Sequence, residues 1–261
     1  MLLERINILF LIRCICPYRV FENFFKIKDN PLTKIEKPKA EDYEPPILSD
    51  EDVYQIISSF ANTDIEIAVI IASQTGLRRS EILGLRWSAV DLESGKTKIN
   101  HSVHYENNQI ICIDRTKSKK GKRTIYLTKA LREYLVEAKK QQDRRRELFG
   151  NCYNHKYDDY VCVDVDGTIL NPDHVSKKFS KFMKKIGLSD VHLHLLRHYF
   201  ASYCASRNIP PAKLQKWMGH EAFRTTYKYY IHLSEEEMED VSESIDIPLK
   251  LNQDQINPAT T

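Results

Sequence analysis

No two cysteines in this chain stand in the C-x-x-C spacing of a zinc or redox motif; the six of them (Cys14, Cys16, Cys112, Cys152, Cys162, Cys204) are scattered. They read as reduced thiols, so a cytoplasmic setting is expected and a secreted disulfide scaffold is not. Metal ligands are also thin on the ground. His194 and His198 are four apart, but no third ligand accompanies them, so no metal site is expected. Long apolar runs are missing too. The apolar opening at residues 6–16 is broken by Arg13 and falls short of the roughly 20 residues that cross a bilayer, so neither a membrane span nor a signal peptide is expected. There is no internal repeat and no low-complexity tract.

What is present is ordinary in bulk and uneven in detail. With 42% apolar and 29% charged residues, 261 residues can bury a full core as one large domain or two small ones. The net charge of +3 conceals an asymmetry: residues 234–246 carry seven acids and no base, which leaves the rest of the chain at +10. A positive body with an acidic end points to a polyanionic partner. The cations gather at residues 117–123, 139–146 and 177–185, and three such clusters in one fold suggest a nucleic-acid surface.

Taken in order, residues 1–30 read as a helix fragment ending in Phe21, Phe24 and Phe25, an apolar face with nothing local to cover it. Residues 30–46, rich in proline, lysine and glutamate, read as an extended linker and a domain boundary. Ser49 caps a helix whose first turn is acidic and whose apolar positions are Val53, Ile56, Ile57 and Phe60. A second helix spans 65–73 and is closed by Gly76, with Ser80-Glu81 opening the next; Arg78 sits in the turn. Alternating apolar residues between 96 and 127 predict a three-stranded meander, with Lys117 where the second strand meets its turn. Helices are predicted at 129–146, 172–186, 195–207 and 211–217, and a short strand at 160–163. A short acidic helix, with Met238, Val241 and Ile245 on one side, and a disordered tail over 247–261 follow.

The segment His194-Leu195-Leu196-Arg197-His198 is the chemical focus. His194 and Arg197, three apart, share one side of a helix. An imidazole that exchanges protons near neutrality and a guanidinium fork that matches two oxygens together suit a phosphate.

Five segments in one order carry a resemblance: Thr75-Gly76-Leu77-Arg78 with Glu81; Thr116-Lys117 ahead of Arg123-Thr124-Ile125; His194-x-x-Arg197-His198; Met218-Gly219-His220; and Thr225-Thr226 leading to Tyr230-Ile231-His232. Over about residues 41–233 the chain resembles the tyrosine recombinases, specifically the integrases of phages and mobile elements. The resemblance implies an α+β fold: a mostly helical catalytic domain, placed at residues 48–246, with a small three-stranded antiparallel sheet. It makes residues 31–47 the linker and residues 1–30 the remnant of a helical core-binding domain, most of which is expected to be missing.

The resemblance also implies an activity: site-specific breaking and rejoining of DNA strands through a 3′-phosphotyrosine, with the bond energy conserved and no cofactor. Tyr230 is then the nucleophile, because it stands two residues before His232, with Tyr229 the runner-up and Tyr227 a core aromatic. Arg78 and Arg197 clamp the non-bridging phosphate oxygens, His194 handles the tyrosine proton, His220 hydrogen-bonds the scissile phosphate, and Lys117 protonates the leaving 5′-oxygen. Glu81 and His198 support them, while Lys119, Lys120, Lys122 and Arg123 are expected on DNA. The implied partners are double-stranded attachment sites, a homotetramer on DNA that is monomeric when free, and an excision or host DNA-bending factor. The alternative is a DNA-binding remnant that no longer recombines, which the short N-terminal part favours.

Overall fold

The computed structural model describes Pro46, residues 48–114 and residues 122–230. The helix fragment of residues 1–30, the linker up to residue 45, Lys117 with Lys119 and Lys120, the acidic helix and the tail lie outside the described residues.

Helix α1 (Asp50–Ser59) starts as the sequence dictates. The Ser49 hydroxyl accepts from the Asp52 amide at 3.1 Å and the Asp52 carboxylate accepts from the Ser49 amide at 2.9 Å, a reciprocal capping box. Asp50, Glu51 and Asp52 meet the positive end of the helix dipole. Helix α2 (Glu66–Thr75) is apolar nearly all round, with Ala68, Val69, Ile71 and Ala72 at most 1% exposed, so it runs through the centre of the core. Gly76 ends it in the left-handed conformation at φ +62°. A side chain there would also strike Phe200 and Met218, at 2.5 and 2.9 Å from a Cβ, so glycine is required twice over.

Helix α3 (Arg79–Leu83) begins one residue earlier than the Ser80-Glu81 signal suggests. The cap is made from the other side: the Glu81 carboxylate accepts the Arg78 amide at 3.0 Å. Its end lies hard against a strand. A Cβ on Gly84 would come within 2.6 Å of Ser102 Cα, which only glycine tolerates.

The expected three-stranded meander is resolved differently. Strands β1 (Lys96–Ile99) and β2 (His101–Glu106) are separated at Asn100 and pair with different partners. β1 runs antiparallel to β4 (Arg123–Tyr126), and β2 to β3 (Gln109–Asp114), giving two two-stranded sheets among the described residues. The cause is visible in the burial pattern. Alternation holds through Lys96–Ile99 and is lost where His101, Ser102 and Val103 are all buried, so the strand cannot continue with one face in and one face out.

Helix α4 (Lys129–Phe149), capped by Thr128, carries the second basic cluster, and helix α5 (Pro172–Lys185), capped by Asn171, carries the third. Phe179 of α5 stacks on Phe60 with centroids 5.2 Å apart, both fully buried, and ties α5 to the end of α1. Residues 160–163 form isolated bridges, Arg86 with Tyr160 and Val163 with Ile169, where a short strand was predicted. Helix α6 (Leu193–Ser206) packs on α2. Helix α7 (Pro211–Met218), the short helix α8 (Phe223–Tyr227) and a 3-10 turn (Lys228–Tyr230) follow. A small second core of Ala201, Cys204, Leu214 and Met218, with Phe200, Trp217, Tyr229 and Tyr230 against it, fixes these last elements to α6.

Candidate active site

Two helix ends build the site. A helix leaves its last carbonyls without intrahelical partners and carries partial negative charge there, so it attracts cationic donors. The C-termini of α2 and α7 both close on a left-handed glycine, Gly76 and Gly219, and both present their carbonyls to the same group of arginines. Arg197 reaches from α6 to both: its Nη1 donates to the Gly76 carbonyl at 2.6 Å and its Nη2 to the Met218 carbonyl at 2.8 Å. Arg78 donates to the Gly219 carbonyl at 2.9 Å and to Glu81 at 3.2 Å. The Trp217 indole closes the junction by donating to the Thr75 carbonyl at 3.0 Å.

Charge is in excess here. Arg78, Arg123 and Arg197 surround a single carboxylate, Glu81, whose side chain is fully buried. Burial alone would raise the Glu81 carboxyl, but the hydrogen bonds and charge of Arg123, and then Arg78, hold it down at about 2. Burial, then the neighbouring Arg78, brings Arg197 down to about 10, still fully charged at neutral pH. Arg197 is 4% exposed, whereas the Arg78 side chain is 37% exposed, so Arg78 is the open end of the pair.

Histidines and a phenol complete the arrangement. His220 follows Gly219 directly, and its Nδ1 pairs with the hydroxyl of the fully buried Thr226 at 2.8 Å. Burial, followed by Arg197 and Arg78, pushes it down to about 4. On α6, His194 and His198 lie on the same side as Arg197, with the two rings edge to face 5.1 Å apart. His198 is likewise pushed down to about 4, by burial and then by His194. Its Nδ1 is 2.9 Å from the hydroxyl of Tyr229. Burial lifts the Tyr229 phenol to about 12 against the opposing pull of Arg197.

The structure therefore gathers Arg78, His194, Arg197, His220 and Tyr229, with Glu81 and His198 among them. Tyr230 is not brought in: its hydroxyl donates to the Ile209 carbonyl, near Cys204. Successive residues of a 3-10 turn point about 120° apart, so Tyr229 and Tyr230 cannot both face the arginines. His198, expected only as support, touches the phenol, while His194 touches it through His198. Arg123, expected on DNA, is 6% exposed at its side chain and closes on Glu81 instead. Lys122 is exposed. No cluster of three potential metal ligands occurs among the described residues, and none of their helices is long and apolar enough to cross a membrane.

Residues 47–237 match the model of the phage integrase family. The chain belongs to that family. Among relatives of this phage integrase chain, a "Tyrosine recombinase XerC-like" protein of Caldanaerobacter subterraneus subsp. tengcongensis is 24% identical over 71% of the chain and 50% of its own length. "Tyrosine recombinase XerA" of Saccharolobus solfataricus is 26% identical over 75% and 55%. The integrase of Staphylococcus phage L54a is 27% identical over 80% and 61%. The chain thus spans between half and two thirds of the length of these relatives. The Tn1549 transposon integrase, solved in complex with transposon right end DNA, superposes with a TM-score of 0.68 at 20% identity, covering 87% of this chain and 74% of that one. XerA recombinase superposes at 0.56 and 19% identity, covering 88% and 75%. At these identities the likeness establishes the fold: a mostly helical catalytic domain with small antiparallel sheets.

Proposed function

We propose that this chain breaks and rejoins duplex DNA at specific sites through a phosphotyrosine, as an integrase of a mobile element working in the cytoplasm of its host. The observation that carries the reading is the convergence of Arg78, Arg197, His220 and the Tyr229–His198 pair on two helix ends, with more guanidinium than carboxylate to balance it. Preorganised cations in a partly buried setting stabilise the charge that grows on a phosphoryl group in the transition state, and losing one comparable donor costs roughly 3 to 4 kcal/mol. No cofactor is called for, because the phosphodiester energy is stored in the protein–DNA bond.

In this reading Arg78 and Arg197 hold the non-bridging oxygens and His220 hydrogen-bonds the same phosphate. Tyr229 attacks, and its proton passes toward His198, with His194 behind it. A phenol near 12 beside an imidazole near 4 keeps its proton in the free protein. A bound phosphate anion raises the imidazole, so proton transfer is coupled to substrate binding. Lys117 is proposed as the acid for the leaving oxygen, and Lys119, Lys120 and Lys122 as DNA contacts. A homotetramer on DNA, and an excision or DNA-bending factor, complete the proposed partners.

Tyr230 is the second reading for the nucleophile, favoured by the Tyr230-Ile231-His232 spacing. The two are separated by trapping. A nicked duplex carrying a site selected from random DNA is incubated with the wild type, Tyr229→Phe and Tyr230→Phe, and the covalent adduct is resolved by denaturing gel. Loss of adduct in Tyr229→Phe alone is the expected result; loss only in Tyr230→Phe moves the nucleophile by one residue. Absence of adduct from the wild type leaves the DNA-binding remnant as the function.

A further inference from the structure

Arg123 closes a run of cations that begins at Lys117, and in sequence it has the look of one more DNA contact. Its surroundings are of another kind. Nη1 donates to Glu81 Oε1 at 3.0 Å, Nη2 to Glu81 Oε2 at 2.9 Å, and Nε to the Trp217 carbonyl at 2.6 Å. The parallel pair of donors that would read a phosphate is spent on a buried carboxylate. The fit from above is equally close. Gly219 lies over the guanidinium, and a Cβ there would stand 3.0 Å from Nη1 and 3.1 Å from Cζ.

The Glu81 carboxylate is shared by the side chains of Arg123 and Arg78. A buried carboxylate is most stable with a fork on both oxygens, and the neighbour able to supply a second one is Arg78. Because Arg123 already occupies one lone pair on each oxygen, the Arg78 guanidinium gives one arm to Glu81 Oε1 and turns the other to the Gly219 carbonyl, where its open face is held. The Arg123 bond to Trp217 secures the same end of α7, from which His220 projects.

We infer that Arg123 is a positioning residue: by clamping Glu81 and the end of α7 from beneath, it sets the orientation of Arg78 and the place of His220. This rests on the reading of Arg78 and His220 as phosphate contacts. A displacement of about 1 Å in such groups costs on the order of a hundredfold in rate.

The test uses the full chain with Arg123→Ala, Arg123→Lys and Lys122→Ala. Adduct formation is timed on the selected nicked duplex at saturating protein, and affinity for a random-sequence 30-base-pair duplex is measured across a salt series. Arg123→Ala is expected to slow adduct formation about a hundredfold. Arg123→Lys is expected to be slow as well, since one ammonium cannot reproduce the fork. Both keep the wild-type salt slope, while Lys122→Ala lowers that slope by about one phosphate contact. A slope lowered equally by Arg123→Ala makes Arg123 a DNA contact and overturns the inference, as does full activity in Arg123→Lys. If Arg123→Ala fails to fold, Arg123→Lys decides by the same two readouts. If the wild type forms no adduct, the proposed function fails first. The clamp is then judged by an unfolding double-mutant cycle of Arg123→Lys with Glu81→Gln, where non-additivity supports it and additivity removes it.

Discussion

The chain holds two clusters with nearly the same ingredients and different charge balance. Around Glu81, Arg78 and Arg123 pair with the carboxylate while Arg197 lies close by, and all three guanidiniums also donate to carbonyls at the ends of α2 and α7. Beneath the β2–β3 sheet, Arg86 faces Asp114 at 3.2 Å, and His101, 3% exposed, joins Asp114 at 2.7 Å to the Tyr160 hydroxyl at 2.8 Å. The second cluster is balanced, cation against anion. The first is stabilised by dipoles, which anchor a guanidinium without cancelling its charge. A protein that needs rigid arginines that still attract an anion is better served by backbone carbonyls than by carboxylates. That contrast separates the proposed phosphate site from an ion network of similar composition.

The largest effect should come from the unbalanced cluster. Arg197→Lys keeps the charge but cannot span the Gly76 and Met218 carbonyls while presenting a fork, so adduct formation at saturating DNA should fall a hundredfold or more. Near wild-type kinetics would mean that charge alone suffices and that the two-helix anchorage is incidental. The balanced cluster should respond in stability. Tyr160→Phe leaves the buried His101 Nε2 with its Arg86 contact alone, and should cost about 1 to 3 kcal/mol in denaturant unfolding. A neutral result would show that the network is dispensable and weaken the comparison from its other side.

Much of this was legible in the sequence, and the failures share a cause. The caps at Ser49 and Gly76 are local signals, and the helices they bound lie within a few residues of their predicted ends. Arg78, Arg197 and His220, which the fold brings together, each lie beside a local marker, a glycine-closed turn or a helix face. Arg123 has no such marker, because its burial depends on Glu81, 42 residues away, and a cation in a basic run looks solvated until its partner is known. The split of the meander at Asn100 turns on which strand pairs with which, and the apolar alternation is the same either way. Tyr229 and Tyr230 are identical side chains one residue apart: the Tyr230-Ile231-His232 spacing favours one, and the direction of the turn, which no local signal encodes, favours the other.

The smallest expected effect sharpens the comparison through pH. His198 and His220 sit near 4 in the folded chain and near 6.5 when unfolded, because they are partly out of water and lie among cations. Their folded values are depressed, so the unfolded chain binds protons first. Stability should be at its full value above about pH 6.5 and fall as the pH drops toward 4. Glu81 adds a second, lower window in the same direction: its contribution is present above 4.5 and is lost as the pH falls toward about 2. His101 is also lowered, by burial first, although Asp114 pulls it the other way, so the balanced cluster should add less to the upper window. Urea midpoints between pH 8 and 4 for the wild type, a His198→Gln/His220→Gln double variant and His101→Gln measure this directly. Flattening of the upper window in the double variant, with little change in His101→Gln, locates the uncompensated positive charge at the two helix ends. Equal flattening in both would mean that the clusters differ less in charge than their contacts imply.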